Sequence, residues 1–150
     1  LPQAKIQDNV MIVPGTDGEK MSKSRNNTIN IFLDDKQLRK QIMSIQTDST
    51  PLEDPKDWKT CNCFAIYNLL ASKEAVETMK ANYEKGGYGY GHAKQALFEL
   101  IVEKFATQRE RYHHYMNNLN EIDAALFIGV EKARMVADDV LARVRTKLGY

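Results

Sequence analysis

A chain of 150 residues with 27% charged and 43% hydrophobic side chains is long enough to bury one sizeable core and too apolar to be disordered throughout. Its formal net charge of +1 excludes a uniformly basic nucleic-acid coat, while leaving room for a basic patch on one face. No apolar run reaches the roughly 20 residues that span a bilayer, and the opening LPQAKIQDNV has neither the basic nor the apolar region of a secretory signal, so a cytoplasmic location is expected.

In chain order, NVMIVPG (residues 9–15) is a short apolar, β-leaning run that stops at Pro14-Gly15, and TINIFL (residues 28–33) is a second. Between them lies the polar, glycine-bracketed stretch GTDGEKMSKS (residues 15–24). From Asp34 the periodicity becomes helical. Asp34 or Asp35 is placed to cap a helix of about three turns, whose apolar stripe is Leu38, Ile42 and Ile45. The connector QTDSTPLEDPKDW follows, with Trp58 read as a staple that packs it onto the core and, as the alternative, as a binding platform. CNCFAIYNLLA and SKEAVETMKANYEK predict two short helices, the second capped by Ser72 and ended by Gly86 and Gly87.

A longer helix is predicted from about His92 to Met116, with Ala93, Leu97, Leu100, Ile101, Phe105 and Tyr112 on one face. Another runs from about Asn120 to Leu148, with Ile122, Leu126, Val130, Ala133, Val140, Val144 and Leu148 near helical spacing. The chain is therefore expected to be mainly α, a helical region with its own apolar faces preceded by a strand-loop-strand stub. Two short strands without a sheet are marginal in water. That mismatch leads us to expect the C-terminal portion of something larger, cut inside an α/β domain.

Several clusters have simple readings. Cys61 and Cys63 form no disulfide framework and do not complete a zinc site, so reduced thiols on an apolar helix face are expected. GGYGYGH (residues 86–92) follows a helix and lacks G-x-G-x-x-G spacing, which favours an inter-helix turn, with Tyr88 and Tyr90 packed beneath it or stacking on a base. Arg109, Arg111, His113 and His114 sit late in one helix, and Arg143, Arg145 and Lys147 late in another. Cations there suit the helix dipole, and an RNA-facing patch is the functional alternative. No metal site is expected among them.

The chemistry concentrates in EKMSKS. Lys20 and Lys23 are three residues apart on a stretch that begins with Gly15 and Gly18, so both ammonium groups can converge on one polyanion. Ser22 and Ser24 add hydroxyl donors, and a phosphate chain is the natural ligand. A loop closing over it would supply charge where charge develops in a transition state.

KMSKS after a short apolar run and before a helical region resembles the signature loop of class I aminoacyl-tRNA synthetases. VPGTDGEKMSKSRNNTI, LRKQIMSIQTDSTP, YEKGGYGYGHAKQAL, QRERYHHY and GVEKARMVADDVLARVRTKLG together resemble the C-terminal part of bacterial-type tryptophanyl-tRNA synthetases, over essentially the whole chain from Pro14 on. The resemblance implies that residues 1–31 are the C-terminal end of the α/β, Rossmann-like catalytic domain and residues 32–150 an α-helical anticodon-binding domain. It implies an enzyme that activates tryptophan with ATP and Mg2+ and transfers it to tryptophan tRNA as a homodimer. Lys20 and Lys23 would be its catalytic cations, and Lys20, Met21, Ser22, Lys23 and Ser24 its ATP-binding residues. The HIGH-like motif that the class carries upstream is not in this sequence, and the 150-residue piece alone is expected to be inactive. A tyrosyl member of the class and a stand-alone helical RNA-binding module are the alternatives.

Overall fold

Asp34 accepts a hydrogen bond from the Gln37 amide at 2.8 Å and opens the first helix, as the paired aspartates predict. In the computed structural model, which describes residues 12–149, this helix is α1 (Asp35–Met43). It is followed by α2 (Asn62–Leu70), α3 (Lys73–Lys85), α4 (Tyr90–Lys104), α5 (Ala106–Asn117) and α6 (Leu119–Leu148). The fold is mainly α, as expected. It divides into two compact units, Leu1–Thr107 and Gln108–Tyr150.

In the first unit α4 packs against both α1 and α2, and α3 packs on α2. Two predicted stripes reach the core, Leu38, Ile42 and Ile45 from α1 and its exit and Ala93, Leu97 and Ile101 from α4, and Met79 and Tyr83 from α3 join them, all at most 3% exposed. Each such aliphatic side chain contributes about 1.5–3 kcal/mol through burial. Tyr83 is the hub. Its ring meets Phe64 at 5.7 Å, Tyr88 at 5.9 Å and Tyr90 at 6.1 Å, and its hydroxyl lies 3.4 Å from the Cys61 sulfur. Both cysteines are buried free thiols on α2 and its cap, and Tyr88 and Tyr90 pack beneath the glycine turn. Ser72 caps α3 through the Ala75 amide at 3.2 Å, and Gly86 ends it.

Trp58 staples the connector. Its indole N–H donates to Glu84 at 3.0 Å, its ring meets Phe64 at 5.4 Å, and the Lys80 ammonium lies over its face at 4.5 Å.

Three expectations are revised. TINIFL is not a strand. The Gln41 side chain takes the hydrogen bonds that a partner strand would have made, accepting from the Asn30 amide at 2.9 Å and donating to the Thr28 carbonyl at 2.6 Å. Of NVMIVPG, residues 9–11 lie outside the described residues, and Pro14 makes one isolated antiparallel bridge with Lys20.

The single helix expected from His92 to Met116 is two. It begins earlier, at Tyr90 with Gly89 as its cap, and breaks at Phe105, whose φ of −105° and ψ of 16° leave helical geometry while its ring stays against the core. Neither Gly nor Pro marks that break, so the apolar periodicity reads straight through it.

In the second unit, the turn between α5 and α6 is held locally. Asn118 donates from its side chain to the His114 carbonyl at 2.7 Å, and His114 meets Glu121 at 2.9 Å. Helix α6 forms where predicted, but none of its residues is buried, and Leu126, Phe127 and Met135 are each more than 60% exposed.

Candidate functional site

The GTDGEKMSKS stretch folds as a hydrogen-bonded hairpin. The Met21 amide donates to the Val13 carbonyl at 2.9 Å, the Gly15 amide to the Glu19 carbonyl at 2.7 Å, and the Gly18 amide back to Gly15 at 3.1 Å, so residues 15–18 make the tip. Gly18 holds a φ of +84°, which a side chain resists. After the returning arm, Ser22 is extended, Lys23–Arg25 form one 3₁₀ turn, and Asn26 ends it in the left-handed region at φ 54°, with its amide on the Lys23 carbonyl at 3.2 Å.

The five residues of the signature are thus placed on one hairpin arm and the turn that follows it. Lys20, Lys23 and Ser24 are exposed, whereas Met21 and Ser22 are half-buried. The Ser22 and Ser24 hydroxyls meet at 2.8 Å, which ties the residue before the turn to its middle residue. Arg25 reaches Glu19 at 3.6 Å, a surface pair that leaves the two lysines out. Among the described residues neither Lys20 nor Lys23 pairs with a carboxylate. Two ammonium groups three residues apart are therefore available to a polyanion.

The hairpin is braced from two sides. At its tip the Thr16 carbonyl accepts from the Gln46 amide at 2.8 Å, and Gly18 lies against the side chain of Asn62, the first residue of α2. Beneath its arms sits Asn27, 2% exposed, whose amide bonds to Ser22, Asp17 and Lys20 at 2.8, 2.7 and 3.2 Å. The Asn27 hydrogen bond, followed by the Glu19 amide, holds the Asp17 carboxyl below its usual range, so it is ionised at neutral pH.

Sequence reasoning reached the five signature residues and missed Asp17, Asn27 and Asn62. Glycines at 15 and 18 read as looseness, but both are close approaches, and a β-carbon at Gly15 would stand 2.5 Å from the Asn27 amide carbon. The available signal was the density of Asp and Asn around the glycines, side chains suited to satisfying a loop's own backbone.

The basic clusters expected on the helices are dispersed. Arg109 is buried, Arg111 and His113 are exposed, and His114 is engaged with Glu121. On α6, Arg143 reaches Asp139 at 3.5 Å, and Arg145 and Lys147 lie in the last turn. No group of three or more His, Cys, Asp or Glu side chains among the described residues is arranged to hold a metal ion. No helix among them is long and apolar enough to cross a membrane.

The chain is similar to curated proteins named tryptophan–tRNA ligase. It is 44% identical over 149 residues to that of Campylobacter jejuni (strain RM1221) and 46% identical over 149 residues to that of Rhodopirellula baltica, in each case covering 99% of this chain and 47% of the relative. It thus spans about half the length of these relatives. Among solved structures it matches the tryptophanyl-tRNA synthetase of Campylobacter jejuni complexed with ADP and tryptophan, with a TM-score of 0.90 and 44% identity over 100% of this chain and 47% of that one. The family described as class I tRNA synthetases (W and Y) matches residues 2–106, and this chain, with its two exposed lysines on a braced KMSKS hairpin, belongs to that family.

Proposed function

We propose that this chain is the signature-loop and helical portion of a tryptophan–tRNA ligase. In the full-length protein, a tryptophan carboxylate oxygen attacks the α-phosphorus of ATP, forming tryptophanyl-adenylate and releasing pyrophosphate. The acyl group then passes to the terminal adenosine of tryptophan tRNA, releasing AMP. Lys20 and Lys23 are assigned to the ATP phosphates and to the charge that builds on the leaving pyrophosphate, and Met21, Ser22 and Ser24 to shaping the loop against the nucleotide. The observation that carries this reading is the exposure of two ammonium groups, neither paired with a carboxylate among the described residues, on a hairpin whose arms and tip are held by backbone hydrogen bonds.

On this reading ATP would bring Mg2+ with it, which would supply further positive charge at the phosphates beside Lys20 and Lys23. Residues 1–31 belong to the catalytic domain and residues 32–150 approach the tRNA anticodon. The full-length protein works as a cytoplasmic homodimer, and the 150-residue chain alone is inactive.

The test is tryptophan-dependent ATP–pyrophosphate exchange in the full-length protein. Lys20→Ala and Lys23→Ala are each expected to lower kcat by about 10²- to 10³-fold. Exchange supported by tyrosine and not by tryptophan would move the protein to the tyrosyl branch. Wild-type exchange in both lysine variants would remove the phosphate role of the loop.

A further inference from the structure

Asn27 is one of three buried polar or charged side chains among the described residues, and it lies under the hairpin with every part of its amide engaged. Its Oδ1 accepts the Ser22 amide at 2.8 Å. Its Nδ2 donates to Asp17 Oδ1 at 2.7 Å, to the Lys20 carbonyl at 3.2 Å and, at the limit of reach, to the Glu19 carbonyl at 3.5 Å. Its own carbonyl accepts the Thr16 amide at 2.9 Å. One residue thus bonds to the hairpin at four or five positions on both sides of Met21.

The polarity of this cluster admits one orientation of the amide. Turned over, Oδ1 would face a carboxylate and a carbonyl, and Nδ2 would face the Ser22 N–H, so attraction would become repulsion at each contact. Gly15 closes the site from above, since a β-carbon there would overlap the Asn27 amide at 2.5 Å.

We propose that Asn27 is a positioning residue for the signature loop: by gripping the Lys20 carbonyl and the Ser22 amide, it fixes the backbone from which Lys20 and Lys23 extend and so sets where their ammonium groups meet a phosphate chain. The inference rests on the phosphate-binding reading given above. Asn27 itself touches no reacting atom. It acts through the lysines, and the energetic leverage lies in geometry, because a displacement of about 1 Å at a charge donor costs on the order of 10²-fold in rate.

Asn27→Asp tests this with almost no change of shape, replacing the donating NH₂ with an oxygen that faces Asp17 and the Lys20 carbonyl. In the full-length protein, tryptophan-dependent ATP–pyrophosphate exchange is expected to fall about 10- to 100-fold in kcat, with the KM for tryptophan unchanged. Combined with Lys23→Ala, it is expected to cost less than the product of the two single effects, because the part of the loss that Asn27→Asp exerts through Lys23 is already gone while the part exerted through Lys20 remains. Should Asn27→Asp not fold, Asp17→Ala, which removes one partner of the amide and leaves Asn27 in place, carries the same comparison. Exchange within about twofold of wild type, or effects that multiply in the double variant, overturns the proposal while Lys20→Ala and Lys23→Ala remain impaired. Wild-type exchange in both lysine variants instead overturns the phosphate reading itself, and this proposal with it.

Discussion

The backbone amide of Lys56 donates to the carbonyl of Tyr83 at 2.8 Å, joining the connector to the most deeply buried aromatic residue of the first unit. The same lysine is 4% exposed, and its ammonium donates to the Pro51, Leu52 and Asp54 carbonyls at 2.9, 3.2 and 3.1 Å while lying 5.5 Å from the centre of the Tyr90 ring. A buried cation is tolerated here because three carbonyl dipoles and one aromatic face replace its water. Lys56→Met keeps the stem and removes all three donors, leaving the carbonyls without that partner. It is expected to lower unfolding stability by about 2 kcal/mol, read as a lower denaturation midpoint.

The same connector explains a contrast between adjacent glycines. Gly86 sits at φ 76° and ψ 172°, a region that is essentially glycine-only, and a β-carbon there would stand 2.3 Å from the Glu53 carbonyl oxygen. Gly87 also has a positive φ, 74°, yet a β-carbon there meets nothing within 4 Å. Gly87→Ala should therefore cost about 1 kcal/mol of backbone strain. Gly86→Ala should cost on the order of 3 kcal/mol, because strain and overlap with a backbone atom add. Equal thermal shifts in the two variants would contradict the assigned contact.

The helices were legible because their signals are local. Asp34 and Ser72 are strong caps, Gly86 is a strong stop, and the stripes of α1 and α4 recur at helical spacing, so each could be read without knowing its partner. TINIFL misled because an apolar, β-branched run looks alike whether a strand or a single side chain satisfies its backbone, and Gln41 lies 11 residues beyond Asn30. The break at Phe105 has no breaker residue, and the burial of the α6 stripe depends on contacts that no periodicity states. At the site, Lys20 and Lys23 were visible as residue types in a spaced pattern. Asn27 was not, since its importance lies in which five atoms surround it.

Alkaline pH should destabilise the first unit in a defined window. Burial, reinforced by the neighbouring Cys61, pushes the Cys63 thiol from its ordinary 9.0 up to about 12. Burial and the hydrogen bond to Asp48 push the Tyr90 hydroxyl from 10.0 up to about 12. For both groups the folded value is raised, so the unfolded chain loses its proton first. Their contribution is fully present below pH 9 and is lost as pH rises from about 9 to about 12. The denaturation midpoint should fall across that range, and Cys63→Ala should flatten its lower part. Thiol reagents at pH 8 should leave Cys63 unlabelled until denaturant is added.

The tip of the hairpin gives the last prediction. Gly18 carries a φ of +84°, and a β-carbon on it would stand 2.4 Å from Asn62 Oδ1, while Asn62 Nδ2 donates to the Gln46 carbonyl at 3.3 Å. Gln46 in turn gives its amide to the Thr16 carbonyl at 2.8 Å. Tip, α1 exit and α2 start therefore form one closed set of contacts, which meets the grip of Asn27 at Thr16 and Asp17. Gly18→Ala adds both backbone strain and overlap, whereas Asn62→Ala removes the partner and leaves the glycine unstrained. Gly18→Ala should expose the loop to trypsin at Lys20 and Lys23 far more than Asn62→Ala does, because strain displaces the chain while a lost side chain leaves a gap that water can fill. Pairing the two should restore much of the protection, since removing the Asn62 amide makes room for the new methyl group and leaves about 1 kcal/mol of backbone strain. Digestion followed by mass spectrometry reads all three variants directly. A double variant cleaved as fast as Gly18→Ala alone would place the strain in the φ angle and take Asn62 out of the account.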